Sequence, residues 1–419
     1  VELVSLLSFT PWRKRRFLVA KGLYVLCEGL PSHVIDSQVI EHLSLLREHL
    51  SIEFDLLVLA PSKSLYDDAV KRLPDVRKRL AGKVSVVKGF RPALPWSRWL
   101  NERVILRQVA DLREYDFVHA RTDYTAAMMM GACRRLAIPI LWDCRGDALA
   151  EIEGRFSQAF FFAKPFIAWR KLQCRRNTRL AASGCSAATF VTASLRDVNA
   201  KFGKSLKTWL TPCFAPEDFF FFDQAVRAET RAALGYKDEQ RVYVYSGGMA
   251  AYQCFSSVVK QFEAIYSKND KARLLVLTSS VEYALRESSR LPEEIVKVMS
   301  VSFFSVGSYL CASDFAFFLR EEGGLNEAAF PTKFAEYAMT GLPIIMNESP
   351  RACARLARKW GIFSCSKGEG SKLTREQREE CSSSAAKELG RRQSMVLYSY
   401  IYNFLLSSKS GAIHCIGTE

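Results

Sequence analysis

The chain has 419 residues, of which 49% are hydrophobic and 25% are charged, a composition typical of a globular protein. This length is too great for one ordinary core and predicts two domains of roughly 200 residues each, with a cleft between them. The twelve cysteines include no C-x-x-C pair. The sequence therefore indicates neither a metal site nor a disulfide framework, and it favours a reducing, cytoplasmic compartment.

The apolar stretches of the sequence are short. The longer ones, such as Ala126–Cys133 and Phe315–Leu319, fall far below the roughly 20 residues that a membrane-spanning helix needs. The start, Val1–Thr10, has no basic residues before it and no small-residue cleavage site, so it is interpreted as mature sequence.

Positive charge is concentrated in the first half of the chain. Residues 1–210 contain 34 lysines and arginines against 20 acidic residues, which gives +14 of the total net charge of +15. This asymmetry favours an anionic partner, whether a lipid surface, a phosphorylated lipid or a nucleic acid. A soluble basic domain is the alternative, because charge alone specifies no ligand. No recognised nucleic-acid module accompanies the charge, so we predict no nucleic-acid partner.

From residue 22 onward, short apolar runs alternate with longer amphipathic stretches, the pattern of β-α units in a parallel sheet. The strands predicted in the first half are Gly22–Cys27, Asp55–Leu59, Val84–Val87, Phe117–Ala120, Ile138–Trp142 and Thr189–Ala193. The segment Thr211–Asp223 contains two prolines and breaks this rhythm, which indicates a connection between domains.

A second series of strands follows the connection. These strands are Val242–Ser246, Leu274–Thr278, Val301–Phe304, Phe315–Leu319 and Ile344–Met346. A last helical stretch, Thr374–Leu406, is long enough to run back across the first domain. The sequence therefore predicts an α/β fold of two doubly wound, Rossmann-like domains that face a cleft. The predicted domains are residues 1–215 and 216–385, followed by a returning C-terminal helix at 386–419.

The clearest candidate site lies late in the chain, at Phe330–Pro343. Pro331 suits the first turn of a short helix and Gly341 suits its C-terminal cap. The free N–H groups at the helix start favour a phosphate, and Lys333 adds a positive charge there. Glu336 follows on the same face, within reach of ribose hydroxyls. The alternative is a surface helix with a Lys–Glu pair, but a lysine in the first turn opposes the helix dipole unless an anion is bound.

The run from Leu319 to Pro343 resembles the donor-site segment of the group 1 retaining glycosyltransferases, the family 4 enzymes of GT-B fold. Val244–Gly248 looks like the glycine turn that lies against the donor diphosphate in that family, and Phe303–Val306 matches where the family holds the base. The resemblance implies catalytic roles for Lys333 and Glu336, together with Arg121 of the first domain. It implies donor-binding roles for a set of residues in the second domain: Gly247, Gly248, Ser305, Val306, Pro331 and Thr332.

The resemblance extends more loosely to the first domain. Within Asp116–Arg121, many family members have an active-site histidine at the position of Arg121, whereas His119 is interpreted as a residue inside the strand. The loop Glu28–Ser32 resembles the N-terminal glycine loop of the family, which implies a donor-side role for Gly29.

Trp142–Asp147 resembles an Asp-x-Arg-Gly motif that a subset of these enzymes carries. Its Asp143 and Arg145 follow a predicted strand, where side chains often bind ligands. Two interpretations stay open for this pair: the side chains bind the acceptor or the donor sugar, or they pair with each other.

The family resemblance implies a retaining, metal-independent transfer of a sugar from a nucleoside-diphosphate sugar, which is a substrate and not a cofactor. The implied setting is the synthesis of cell-surface polysaccharide or lipid-linked glycan. One position departs from the family: Ala328 stands where a second glutamate is usual, eight residues before Glu336. This departure motivates one alternative, a catalytically silent sugar-nucleotide-binding scaffold. A nucleotide-sugar epimerase on the same two-domain plan is a second alternative.

A further segment bears on the acceptor. Phe156–Ala168 contains five phenylalanines, and several arginines and lysines follow from Arg170 to Arg179. This combination suits a segment that meets anionic lipid, although a helix with an inward apolar side and a solvated basic face is the alternative. We therefore expect an anionic lipid-linked or saccharide acceptor and peripheral contact with the inner face of a membrane.

Overall fold

The computed structural model of the chain describes residues 20–30, 35–156, 161–203, 206–365 and 372–416. Four parts of the predictions lie outside these residues: Val1–Thr10, residues 31 and 32 of the glycine loop, residues 157–160 of the phenylalanine-rich segment, and residues 417–419 of the returning helix. The described residues form two parallel sheets with an apolar core on each face.

The first sheet has seven strands. They are β1 (Ala20–Leu26), β2 (Ile52–Ala60), β3 (Val84–Lys88), β4 (Phe117–Arg121), β5 (Ile140–Cys144), β6 (Ala187–Phe190) and β7 (Lys207–Leu210). All pair in parallel, in the order β3-β2-β1-β4-β5-β6-β7. Successive side chains of β1 enter different cores, with Leu23 on one face and Tyr24 on the other. This burial on both faces is typical of a doubly wound parallel sheet.

Helices connect these strands and cover both faces of the sheet. A π-helical turn, Asp36–Ile40, precedes the first of them. The α-helices of the first domain are α1 (Glu41–Leu50), α2 (Lys63–Arg79), α3 (Ser97–Gln108), α4 (Asp123–Arg135), α5 (Ala148–Arg155), α6 (Lys164–Gly184) and α7 (Ala193–Asn199).

The second sheet has six strands. They are β8 (Arg241–Ser246), β9 (Ala272–Leu277), β10 (Val296–Met299), β11 (Phe315–Phe318), β12 (Ile344–Met346) and β13 (Phe363–Cys365). They pair in parallel in the order β10-β9-β8-β11-β12-β13. The surrounding helices are α8 (Gln224–Leu234), α9 (Phe255–Tyr266), α10 (Val281–Glu287), α11 (Val306–Ala312), α12 (Gly324–Ala328), α13 (Thr332–Met339) and α14 (Arg351–Lys359).

The last helical stretch, predicted as continuous from Thr374, is broken at Gly390. The first part, α15 (Arg375–Leu389), begins with a capping box at Thr374 and packs on α13. The second part, α16 (Arg391–Ile416), packs on α1 and β4 of the first domain. The helix breaks at Gly390 because the backbone of Ala215 forms hydrogen bonds on both sides of it. The Ala215 N–H donates to the Leu389 carbonyl, and the Ala215 carbonyl accepts from the Arg391 N–H.

Two strands lie elsewhere than predicted. The strand expected at Val301–Phe304 lies earlier in the chain, as β10. Phe303–Ser305 forms a 3-10 turn instead of a strand. The Phe303 ring packs against Phe220, with 5.6 Å between the ring centroids. Its side chain therefore contributes to the core although its backbone is not part of the sheet. The strand expected at Thr189–Ala193 lies two residues earlier, as β6. It ends before Thr192 because the Thr192 hydroxyl accepts a hydrogen bond from a backbone N–H and starts α7.

The edge strands β7 and β13 were not predicted. Each has only three or four residues, and β7 is rich in polar and half-buried positions, so neither produces an apolar run. Pairing with an existing sheet edge, which the sequence pattern does not reveal, creates both strands.

Candidate active site

The carboxyl ends of β4 and β5 face the second domain across a cleft of about 610 Å³. Arg121 is the last residue of β4 and is paired in register with Asp143 of β5. The second domain contributes Tyr252 and residues 329–332, which end at the start of α13. Ligands of parallel sheets gather at such carboxyl edges, so this cleft is the candidate site.

Asp143 lies beneath the cleft, completely buried. One carboxylate oxygen accepts from the Thr189 hydroxyl at 2.9 Å, and the other accepts from Arg145 Nε at 2.8 Å. The second oxygen is also 3.8 Å from Arg121 Nη1 and 3.5 Å from His119 Nε2. Burial alone would raise the pKa of Asp143, but the charge of Arg145 and the nearby His119 and Arg121 outweigh it and hold that pKa well below its usual range.

The two residues of the Asp-x-Arg-Gly motif pair with each other, and they differ in their access to the cleft. Asp143 is not at the surface of the cleft, because both its oxygens are occupied by protein donors. Arg145 does line the cleft, and its guanidinium also reaches the Tyr398 hydroxyl at 3.3 Å. The pair therefore consists of a buried carboxylate that holds an arginine at the cleft.

His119 lies inside β4, as interpreted from the sequence, and is completely buried. Its Nδ1 is 2.8 Å from the Tyr402 hydroxyl of α16. Burial lowers the pKa of His119 despite the neighbouring Asp143, so the ring is neutral near pH 7. Its contacts belong to the junction between α16 and the first sheet.

Arg121 is almost fully buried, with 3% of its surface exposed. Its Nε donates to Glu28 at 3.0 Å and its Nη2 donates to the side-chain oxygen of Gln38 at 2.9 Å. Gln38 in turn donates through its Nε2 to the Thr332 hydroxyl at 3.4 Å and to Cys213 Sγ at 3.5 Å. A hydrogen-bonded relay thus runs from Arg121 through Gln38 to the first residue of α13, across the cleft.

The start of α13 has the predicted geometry. Pro331 is the N-terminal cap residue in an extended conformation, and the helix begins at Thr332. Gly341 follows its end with φ = +63°, in the left-handed region that favours glycine. A Cβ on Gly341 would overlap the backbone oxygen of Arg378, so only glycine fits there.

Lys333 and Glu336 form an ion pair of 2.8 Å on the face of α13. The Glu336 side chain is 3% exposed, whereas that of Lys333 is 29% exposed. Lys333 is therefore the member of the pair that solvent and ligands reach, and Glu336 is positioned by it.

The glycine turn after β8 is tied to α13 by a tyrosine. The buried Tyr337 hydroxyl accepts from the Ser246 N–H at 2.8 Å and lies 3.2 Å from the Ser246 carbonyl oxygen. In the turn itself, the Gly247 N–H donates to Leu277 O at 3.0 Å, so it is already used within the sheet. Gly248 is exposed, and no acceptor in the described part of the chain takes its N–H. Of the two predicted amides, Gly248 is therefore the one available to a ligand.

Of the predicted donor-side residues, Pro331 and Thr332 line the cleft, and the others lie outside its described lining. Ser305 bonds the Ser302 hydroxyl at 2.8 Å within the 3-10 turn, and Val306 is buried in the core at the start of α11. Gly29 follows β1 with φ = +71°, packed near Leu65. None of these three lines the cleft.

Ala328, which replaces the family's glutamate, is buried against the first domain. Its carbonyl accepts from the Thr192 hydroxyl at 3.0 Å, and α12 packs on α5 and α7. The neighbouring Glu327 instead lies beside Arg351, where its carboxylate accepts from the backbone N–H at 3.4 Å. The position is thus an interdomain contact in this chain.

Sequence reasoning missed Gln38 and Glu28 as site residues. Both follow β1, and the carboxyl edge of a predicted strand is the one signal that would have drawn attention to them. Their pairing with Arg121 depends on the spatial adjacency of β1 and β4, which the topology provides and a local motif does not.

Solved structures with the same architecture were found by comparison of the fold. HepE from Anabaena, solved with UDP and glucose, has a TM-score of 0.60 and 11% identity over 92% of this chain and 99% of its own. Sucrose-phosphate synthase from Thermosynechococcus elongatus has a TM-score of 0.63 and 11% identity, over 93% and 100%. WaaG, a glycosyltransferase involved in lipopolysaccharide biosynthesis, has a TM-score of 0.58 and 12% identity, over 95% and 100%.

No protein-family model matches the sequence, and no curated protein matches it. At identities of 11–12% the similarity to the solved structures establishes the fold and leaves the activity to other arguments. No helix in the described part of the chain is long and apolar enough to cross a membrane. The prediction of two Rossmann-like domains facing a cleft, the arrangement of the GT-B glycosyltransferases, is confirmed.

Proposed function

We propose that the chain is a glycosyltransferase that moves a sugar from a nucleoside-diphosphate sugar to an acceptor. The relay from Arg121 through Gln38 to Thr332 supports this proposal most strongly, because it joins a cationic strand end to an anion-attracting helix start across one cleft. A donor bound between them would have its diphosphate at α13 and its sugar beside the first domain. That HepE was solved with UDP and glucose in the same fold is consistent with this assignment.

In this proposal the departing diphosphate is stabilised by the second domain. The free N–H groups at the start of α13, the Gly248 N–H and the Lys333 ammonium supply positive charge where negative charge develops. Glu336, held by Lys333, anchors the ribose and so fixes the position of the donor. The base-binding role of Ser305 and Val306 follows from the sequence resemblance alone.

The first domain contributes the cations nearest the transferred sugar. Arg121 and Arg145 contact the sugar or an acceptor phosphate, and Asp143 acts through Arg145 as a positioning residue. Asp143 and Glu28 together balance the two arginines, so the guanidinium groups are fixed without a net excess of charge. The donor-side role of Gly29, in the loop after β1, follows from the sequence resemblance.

Retention of configuration, independence of metal and a role in cell-surface polysaccharide or lipid-linked glycan synthesis complete the proposal. These features derive from the sequence resemblance over Leu319–Pro343. The acceptor we propose is an anionic lipid-linked or saccharide molecule, met in the cytoplasm at the inner face of a membrane. The excess positive charge of the first domain supports an anionic acceptor.

The test is release of nucleoside diphosphate from a panel of nucleotide sugars, with the anomeric configuration of the transferred sugar read by NMR. We expect turnover with one donor and retention in the product. Unchanged turnover in the double variant Arg121→Ala, Arg145→Ala would remove the roles given to these residues. An inverted product would contradict retention while leaving the transferase assignment in place.

A catalytically silent sugar-nucleotide-binding protein is the second candidate, and Ala328 is the observation that favours it. The methyl group replaces the family's sugar-contacting glutamate, and the position is buried under Thr192 of the first domain. Nucleotide-sugar binding without hydrolysis or transfer would support this candidate over the enzyme.

A further inference from the structure

Exposed aromatic side chains are concentrated on one face of the first domain. The six large apolar side chains that define this face, called here the aromatic-basic face, are Leu94, Trp96, Trp99, Phe166, Trp169 and Leu172. They are between 36% and 80% exposed, and every tryptophan that is exposed in the described part of the chain is among them. Exposed apolar patches of this kind usually mark an interaction surface.

The two segments that carry these residues are joined. Trp169 of α6 donates its Nε1–H to the Ala93 carbonyl at 3.1 Å, which ties α6 to the loop before α3. Trp99 of α3 is covered by the guanidinium of Arg103, 3.6 Å from the ring centroid. The side chains therefore form one face made of α6, α3 and the loop between β3 and α3.

Trp96 has an unusual backbone for an exposed aromatic residue. Its φ is +57°, in the left-handed region that is unfavourable for bulky side chains, and its side chain is 80% exposed. Such strain persists only where surrounding structure enforces it, and it is frequent at functional sites. Here the strained backbone holds the Trp96 indole in solvent, directly before the first residue of α3.

Positive charge surrounds the aromatic side chains. The helix α6 contains six lysines and arginines and no acidic residue, and Arg175, Arg176 and Arg179 are exposed along it. The acidic neighbours are engaged: Glu153 of α5 accepts from Lys171 at 2.8 Å, and Glu102 of α3 accepts from an arginine of α4 at 3.2 Å. The face is therefore cationic as well as apolar.

We propose that the aromatic-basic face docks onto a lipid bilayer that contains anionic headgroups. Indole rings partition to the boundary between headgroups and acyl chains, and arginines beside them bind anionic lipid. A second copy of this chain fits poorly, because a symmetric dimer would place two cationic faces against each other. The proposal extends the function proposed above, since it assigns the surface that would bring the chain to a lipid-linked acceptor.

The position of the face relative to the cleft gives the docking a consequence. Pro92 from the loop before α3, and Arg170 and Gln173 from α6, both border the face and line the cleft. A bilayer bound to the face therefore lies at the mouth of the cleft. A lipid-anchored acceptor would reach Arg145 without leaving the membrane surface.

The experiment is sedimentation of the full chain with vesicles of phosphatidylcholine alone and of phosphatidylcholine mixed with phosphatidylglycerol. We expect sedimentation with the mixed vesicles only, reversed by high salt. Replacing Arg175, Arg176 and Arg179 by glutamine should weaken partitioning about 100-fold, at about fivefold for each arginine. Trp96→Ala with Trp99→Ala should weaken it about tenfold. Because all five side chains are exposed, we expect the variants to retain the wild-type melting temperature.

The matched control is Tyr283→Ala with Leu285→Ala, two exposed apolar side chains of the second domain, which should sediment as the wild type does. Equal sedimentation of the face variants and the wild type would overturn the proposal. So would a wild-type dimer in solution that the Trp96→Ala, Trp99→Ala variant loses while no vesicle binding is seen. The assay needs neither donor nor acceptor, so its failure leaves the transferase proposal to be judged by turnover.

Discussion

Removing the charge of Asp143 tests whether this carboxylate holds the cationic side of the cleft. Asp143→Asn keeps the size of the side chain but leaves Arg145, and the nearby Arg121, without their buried counter-charge. Breaking a buried ion pair by neutralising one partner costs about 3–5 kcal/mol. Because the carboxylate is completely buried, solvent does not screen this loss. We expect the free energy of unfolding of the first domain to fall by about 3 kcal/mol or more.

The pH dependence of the effect follows from the lowered pKa of Asp143. A carboxylate whose pKa is lower in the folded state stabilises the fold fully above its unfolded pKa of about 4, and this stabilisation is lost as the pH falls toward the folded value. The difference between wild type and variant should therefore be constant from pH 5 to 8 and should shrink in stronger acid.

Urea unfolding at pH 7, followed by circular dichroism and tryptophan fluorescence, measures the change. At a slope of about 2–3 kcal/mol per molar, the predicted loss lowers the midpoint of the transition by about 1–1.5 M. Asp67→Asn, at an exposed carboxylate paired with Lys63, is the control and should unfold as the wild type does. A loss below about 1 kcal/mol for Asp143→Asn would refute the assignment of Asp143 as a structural counter-charge.

Three further substitutions test the relay, the helix end and the glycine turn. Gln38→Ala should lower kcat/KM for donor turnover about tenfold to a hundredfold, because the relay that positions the strand end is cut. Gly341→Ala should destabilise the fold by about 2–3 kcal/mol in urea, and Gly361→Ala, with a similar φ of +69° and open space, by only about 1 kcal/mol. Tyr337→Phe should cost about 1–3 kcal/mol in urea and weaken nucleotide affinity, because it leaves the buried Ser246 N–H without its acceptor.

Each of these predictions has its own contradicting result. Gln108→Ala, at an exposed end of α3, is the control for the relay, and equal loss in both glutamine variants would remove the special role of Gln38. Equal destabilisation at the two glycines would show that the backbone contact of Gly341 is unimportant. Tyr400→Phe, at an exposed hydroxyl, controls for Tyr337, and a wild-type nucleotide affinity in Tyr337→Phe would uncouple α13 from the glycine turn.

The sequence predicted most of the architecture because parallel strands buried on both faces leave continuous apolar runs. The central strands β1, β4 and β8 were found in this way. The edge strands β7 and β13 were missed, since they are short and depend on a neighbour for their pairing. The break at Gly390 was also missed, because a long-range backbone contact with Ala215 causes it and no local pattern reports that contact.

The candidate site was predictable where local chemistry dictates geometry. Pro331 and Gly341 mark the two ends of α13, and the structure has both ends as expected from their backbone preferences. The burial of Asp143 was not predictable, since it depends on Thr189 from a neighbouring strand. The role of Gln38 could not be predicted for the same reason, because its hydrogen-bond partners come from β4 and from the other domain.

The most direct test of the transferase proposal is nucleotide binding at α13. Thermal unfolding of the wild type, Lys333→Ala and Glu336→Ala is measured with UDP, GDP, ADP and their sugar conjugates, with Lys63→Ala as an exposed control. A ligand at 100 times its Kd stabilises the folded state by about 2.7 kcal/mol. We predict that one nucleotide raises the melting temperature of the wild type and the control, and that the shift is lost in Lys333→Ala or Glu336→Ala. Absence of any shift in the wild type at millimolar nucleotide would contradict the proposal.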